Sequence, residues 1–212
     1  MTPEALAAEI RRRAGLRGTG QGRFITALAG PPGAGKSTLA AALATALGAG
    51  ARVVPMDGFH YDDAVLNARG HRARKGAPHT FDAQGFLHLM ARLRAGGEVA
   101  IPVFDRSMEL ARAAADVVTD ADRFLVVEGN YLLLDADPWR DLAPFFDLTV
   151  FLDLSEAELE RRLILRWLEH GRTPEEARAR AMSNDIPNAR LVIRGSRPAD
   201  IVIRADEAAP PL

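Results

Sequence analysis

The segment Gly30-Pro31-Pro32-Gly33-Ala34-Gly35-Lys36-Ser37 holds the chain's most specific arrangement of reactive groups. It fits the spacing G-x-x-x-x-G-K-[ST]. In that motif glycines let backbone amides close on an anion, the lysine meets the outer phosphates of a nucleoside triphosphate, and the hydroxyl reaches the metal that bridges them. Pro31 and Pro32 carry no N–H, so the cradle has to come from the amides of Gly33 through Ser37 and from the N-terminus of the helix that continues into Thr38. Gly30 opens the loop. ATP and Mg2+ are the expected ligands, with Lys36 on the phosphates and Ser37 on the metal.

Transfer of a phosphoryl group also needs a base for the acceptor's proton and a carboxylate for the metal. In parallel α/β sheets the C-terminal ends of the strands face the ligand. Asp57 and Glu128 stand at such ends, in Val54-Pro55-Met56-Asp57-Gly58-Phe59-His60 and Leu125-Val126-Val127-Glu128-Gly129-Asn130. The expectation is Asp57 as general base and Glu128 as metal carboxylate, with the exchanged roles still open. Asp-Gly is also a common turn pair, and an acid at a strand end can serve as a cap.

Around Asp57 lie candidate acceptor contacts: His60 and Tyr61 beside it, Asn130 after Glu128, and Arg74 and Lys75 in the basic stretch of residues 69–82. Cations concentrated in an otherwise neutral chain suit an anionic ligand, and a solvated basic loop is the alternative. Phe104, Asp105 and Arg106 offer a second wall, unless Asp105 and Arg106 simply pair with each other. Arg162, Arg166 and Arg172 follow the fourth strand candidate, where a closing segment would bring charge to the transferred phosphoryl. Glu158, Arg162 and Arg166 are also spaced i, i+4, i+8, which helix-surface pairing explains as well.

These residues need a scaffold, and short apolar runs alternating with helical periods point to parallel strands joined by crossover helices. Strands are expected at residues 24–29, 52–56, 124–128, 148–152 and 200–203. The Ala- and Leu-rich stretch after the loop should be helical up to Gly48. Phe86, Leu87, Met90 and Leu93 mark a helix over 83–95, and Leu159, Leu163 and Trp167 mark another over 155–170, with Ser155 as N-cap and a bend at His170-Gly171-Arg172. Residues 3–14 form an opening helix with Leu6 and Ile10 on its buried stripe, and Arg11, Arg12 and Arg13 at its solvated end. A linker over 15–22 and fraying over 207–212 complete the plan. We expect one domain spanning 1–212, with pocket inserts at 58–82 and 100–120 and a lid at 155–182.

Composition narrows the classes. With 27 Lys and Arg against 28 Asp and Glu, the net charge of −1 speaks against a general nucleic-acid binder. The chain has no cysteine, which removes disulfides, thiolate metal sites and a cysteine nucleophile. No signal-peptide pattern and no stretch of about 18 apolar residues occurs, so a cytoplasmic protein without membrane partners is expected.

Taken in order, Met56-Asp57-Gly58-Phe59, Arg74-Lys75-Gly76-Ala77-Pro78, Phe81-Asp82, Pro102-Val103-Phe104-Asp105 and Glu128-Gly129-Asn130-Tyr131 resemble the P-loop kinase group that contains uridine kinase and bacterial type I pantothenate kinase. Bacterial relatives called fructose transport system kinases are similar too. The resemblance spans roughly residues 24–204. It implies a three-layer α/β P-loop NTPase sandwich around a mostly parallel five-stranded sheet, with substrate-pocket insert and lid. It implies ATP-dependent phosphorylation of a hydroxyl on a small molecule, with Asp57 as base and lid arginines after the fourth strand. It also implies that Asn184 and Asn188 lie beside acceptor or nucleotide, and that the chain forms a homodimer, as its relatives often do. Phe104-Asp105-Arg106 stands where pantothenate kinases carry a tyrosine and a histidine, and uridine kinases differ after the second strand, so the acceptor stays open among sugars, nucleosides and pantothenate-like compounds. The other class considered is a nucleotide-dependent switch read by a partner protein. No Asn/Thr-Lys-x-Asp element for reading guanine occurs.

Overall fold

The computed structural model describes residues 1–17 and 22–204. Seven strands and seven α-helices of these residues follow in the order α1 (Pro3–Leu16), β1 (Phe24–Ala29), α2 (Lys36–Leu47), β2 (Ala51–Pro55), α3 (Asp63–Ala68), α4 (Ala83–Ala95), β3 (Val99–Asp105), β4 (Leu110–Val118), β5 (Phe124–Gly129), β6 (Leu148–Asp153), α5 (Glu156–Glu169), α6 (Pro174–Arg180), α7 (Ile186–Gly195) and β7 (Ile201–Arg204). Half of the expected linker of residues 15–22, residues 18–21, and the expected C-terminal fraying lie outside the described residues, while Gly15 and Leu16 of that linker belong to α1.

Five strands form one sheet in the order β2-β5-β1-β6-β7, and all four pairings are parallel. The central β1 is buried along its whole length, as a parallel strand covered on both faces must be. Successive side chains alternate between two cores. Ile25, Ala27 and Ala29 face one core with α4, the β3–β4 hairpin and the 3-10 turn Trp139–Phe145. Phe24 and Leu28 face the other with α1, α2 and α5. Helices and turns thus cover both faces of a parallel five-stranded sheet, a three-layer α/β sandwich.

Each expected strand exists within one residue at either end, and the helices over 83–95 and 155–170 match α4 and α5, the latter capped by Ser155, whose side chain accepts from the amide of Glu158. Arg11 caps from outside: its guanidinium donates to the carbonyls of Ala46 and Leu47 at the end of α2, both at 2.9 Å.

The insert at 100–120 proves to be the antiparallel hairpin β3–β4, which was not expected as strands. Pro102 interrupts its apolar run and removes a ladder donor, and the pairing accommodates it by a register shift between Ile101 and Val103. The hairpin packs on the 3-10 turn Met56–Phe59. A side chain at Gly58 would put its Cβ 2.4 Å from the Pro102 carbonyl oxygen, so glycine is what lets the two backbones touch. The insert at 58–82 contains α3 and two further 3-10 turns, Arg72–Arg74 and Pro78–Thr80.

Candidate active site

Parallel register brings the ends of β1, β2 and β5 to one edge: Ala29 lies opposite Gly129, and Pro55 opposite Glu128. The phosphate loop leaves β1 there. Gly33 and Gly35 adopt left-handed backbone at φ 82° and 88°, a region most side chains avoid. A Cβ on Gly33 would also sit 3.1 Å from Leu163 Cγ of α5. Gly35 is the N-cap of α2 without any side-chain cap, and the first turn has no acidic residue. The helix start therefore keeps amides and its positive dipole end for an anion. One detail differs from expectation: the Ala34 amide donates to the Pro31 carbonyl at 3.2 Å, which withdraws it from the cradle.

Lys36 is buried and held, its Nζ donating to Pro31 O at 2.9 Å and to Asn130 Oδ1 at 2.6 Å. Asn130, expected as an acceptor contact, thus grips the lysine. Burial lowers the Lys36 pKa to about 8, with Glu128 and Asp57 opposing that shift. Glu128 is pushed the other way, to about 7, by burial first and by the Asp57 charge second. Ser37 Oγ donates to Glu128 Oε1 at 3.2 Å. Two neighbouring oxygens of an octahedral shell with bonds of about 2.1 Å are about 3 Å apart, so this pair fits a magnesium ion that keeps waters and phosphate oxygens as its other ligands. Among the described residues, no group of three or more His, Cys, Asp or Glu could hold a metal ion without such help.

These groups open onto a cavity of about 660 Å³. Gly33, Ala34, Gly35, Lys36, Ser37, Thr38, Asp57, His60, Lys75, Phe104, Arg106, Glu128, Asn130, Arg162, Arg166 and Asn188 all line it. On the acceptor side Arg106 Nη2 lies 3.2 Å from Asp57 Oδ2, so the arginine pairs with Asp57 and not with Asp105. Lys75 is buried, with its ammonium on Asp63 Oδ1 at 2.8 Å and Glu109 O at 2.9 Å, over the Phe104 ring. On the lid side Arg162 bonds Glu158 at 2.6 Å, the helix pair foreseen from spacing, while its Nη1 would lie 3.9 Å from a Cβ on Gly35.

Six expected site residues are not on the cavity wall. Gly30 packs on Leu152, where a Cβ would be 2.9 Å from the carbonyl oxygen. Tyr61 lies under the Arg69 guanidinium. Asp105 closes its own turn, accepting from the Ser107 hydroxyl at 2.6 Å. Arg74 donates to Ser183 O at 2.7 Å and to Asn188 Oδ1 at 3.3 Å, and Asn184 Nδ2 donates to Lys75 O at 2.9 Å, so these two staple the insert at 58–82 to the turn before α7. Arg172 is exposed beyond the bend at Gly171, whose φ is 78°.

Among the wall residues that were not expected are Asp185 and Arg180. Asp185 ends the π-helical turn Ala181–Asp185, a form that often marks functional sites. It accepts from Trp167 Nε1 at 2.6 Å and lies 3.9 Å from Arg166. Arg180 donates to Ala73 O at 2.8 Å and stacks on Trp167. The Trp167 stripe reads as core from its spacing, so neither partner had a signal of its own.

The sequence profile of the Phosphoribulokinase / Uridine kinase family matches residues 25–206. The uncharacterized protein YggC of Escherichia coli (strain K12) is 35% identical over 197 residues, covering 88% of this chain and 80% of YggC. The pantothenate kinase of Parvibaculum lavamentivorans is 32% identical over 165 residues, which are 71% of this chain and 50% of that enzyme. The crystal structure of a candidate fructose transport system kinase from Silicibacter sp. TM1040 superposes with a TM-score of 0.91 at 46% identity, covering 96% of this chain and 99% of that one.

Proposed function

The chain belongs to the Phosphoribulokinase / Uridine kinase family, and from that premise we propose that this P-loop kinase transfers the γ-phosphoryl group of ATP to a hydroxyl of a small molecule of the sugar, nucleoside or pantothenate-like kind. The observation that carries the reading is a phosphate-binding helix start and two strand-end carboxylates on one cavity wall.

The free amides of the α2 start and the Lys36 ammonium bind the outer phosphates. Ser37 and Glu128 would hold magnesium, which would supply positive charge to offset that of the phosphates. The hydrogen bond between Ser37 and Glu128 supports that role for Glu128. Asp57 then receives the proton of the attacking hydroxyl. Its pairing with Arg106 on the side of the cavity walled by Phe104 and Lys75 supports that role. The arriving hydroxyl shares the Asp57 carboxylate with Arg106. Arg162 and Arg166 hold positive charge over the loop, where the transferred group passes. A nucleotide-dependent switch would have no use for this second wall.

The test is ADP release with ATP, Mg2+ and a panel of sugars, nucleosides and vitamin precursors. Asp57→Asn is expected to lower kcat by roughly 100- to 10,000-fold with the KM for ATP little changed. Equal turnover by the mutant would remove Asp57 as base.

A further inference from the structure

The protein holds Arg162 by one end and leaves it open at the other. Its Nε donates to Glu158 Oε1 at 2.6 Å. Among the described residues neither Nη makes a hydrogen bond, and neither is sealed off from solvent. Nη1 would lie 3.9 Å from a Cβ on Gly35, the N-cap of α2, so the open end faces the phosphate loop. The backbone there is fixed as well. Leu163, the next residue of α5, packs so closely on the loop that a Cβ on Gly33 would be 3.1 Å from its Cγ.

A Glu–Arg pair at i, i+4 is ordinary on a helix surface, and exposed pairs of that kind hold little in place. This pair is set apart by burial. The Glu158 side chain is 7% exposed and that of Arg162 is 16% exposed. An ion pair taken out of water needs its remaining lone pairs answered by further hydrogen bonds. Arg161 supplies them: its Nε and Nη2 donate to Oε2 and Oε1 of Glu158, both at 2.7 Å. Arg161 itself is off the cavity wall. Hydrogen bonds from Arg161 first and Arg162 second hold the Glu158 carboxyl down at about 2, so it is ionised wherever the chain is folded near neutral pH. Two guanidiniums on one carboxylate leave one positive charge in excess. The cation that faces the loop is therefore steered without being cancelled.

Resting on the kinase reading above, we propose that Glu158 is a positioning residue for that reaction: it clamps Arg162 by Nε, so that both Nη groups already point at the place of the outer phosphoryl group before the nucleotide arrives. A guanidinium fork held in this way meets phosphate oxygens in pairs and gives up little side-chain freedom on binding. Arg166 is held differently, with its guanidinium over the Trp167 ring and 3.9 Å from Asp185.

Charge and position predict opposite signs for Glu158→Gln. Removing a carboxylate near phosphates tightens their binding if charge alone counts, and loosens it if the clamp counts. Glu158→Asp separates the two again, because it keeps the charge and falls one methylene short of Arg162. Calorimetry on the full chain with Mg2+ gives the affinities for ADP and for a non-hydrolysable ATP analogue, and their ratio reports on the outer phosphoryl group. The same ratio is measured in Arg162→Ala and in the double variant that combines it with Glu158→Gln.

Glu158→Gln and Glu158→Asp should each lower the preference for the ATP analogue by about threefold to tenfold, with ADP binding hardly changed. Once Arg162 is gone, Glu158→Gln should lower it no further. The inference is overturned if either Glu158 variant keeps or exceeds the wild-type preference, or if Glu158→Gln costs as much without Arg162 as with it. Should Glu158→Gln not fold, Glu158→Asp decides by the same rule. The expected binding pattern without ADP release from ATP on any acceptor would sink the kinase reading and leave the Glu158 clamp standing.

Discussion

Burial and the nearby Asp57 carboxylate hold the Glu128 proton up to about pH 7, whereas the ordinary glutamate value is 4.5. Folding of the ligand-free chain therefore takes up a proton between these two values. Stability contributed by this group falls as pH rises through that window, and the penalty is complete above about 7. Glu128→Gln removes the penalty. In EDTA the mutant should gain thermal stability over the wild type at about pH 8 and show little gain at about pH 5; an equal gain at both would contradict the account. Sequence reading reached Lys36, Ser37, Asp57 and Glu128 because each stands at a strand end or in a motif with one geometry. It missed that Asn130 grips Lys36 and that Ala34 spends its amide on Pro31, since both depend on directions that only packing sets.

At the level of elements, Trp167 couples α5 to the turn before α7 and, through Arg180, to the insert at 58–82. Its Nε1 bonds Asp185, while the guanidinium carbons of Arg166 and Arg180 each lie 5.4 Å from its ring centroid. Arg180 reaches on to Ala73 O, and Arg74 reaches back to Ser183 O. A hydrogen bond to a charged group and two cation–π contacts are lost together in Trp167→Ala. Amide exchange in α6 and the turn Ala181–Asp185 should then speed up at least about tenfold, with β1 and α2 unaffected. Unchanged protection there would show that α6 and this turn are held by other contacts. The hairpin β3–β4 is the element that pattern reading lost, because Pro102 in an apolar run counts against a strand unless a register shift absorbs it.

For the whole molecule, a ligand that binds only the folded chain stabilises it by about 2.7 kcal/mol at 100 times its Kd. In a chain of 212 residues that corresponds to a rise in Tm of roughly 5–10 °C. A magnesium complex of a non-hydrolysable ATP analogue should produce such a shift in the wild type and little of it in Lys36→Met. The absence of any shift in the wild type would remove the nucleotide site, and with it the function proposed for this cavity. No helix among the described residues is long and apolar enough to cross a membrane.

The amino-acid order was enough to set the parallel α/β architecture, the phosphate loop and the two strand-end carboxylates. Each is a local pattern: an apolar run with turn residues behind it, or a glycine spacing that one backbone path satisfies. Which side chains share the cavity was settled by folding. Residues 57, 106, 128 and 185 lie far apart along the chain, and they meet through parallel register, a hairpin packed on Gly58 and a π-helical turn whose geometry no periodicity encodes.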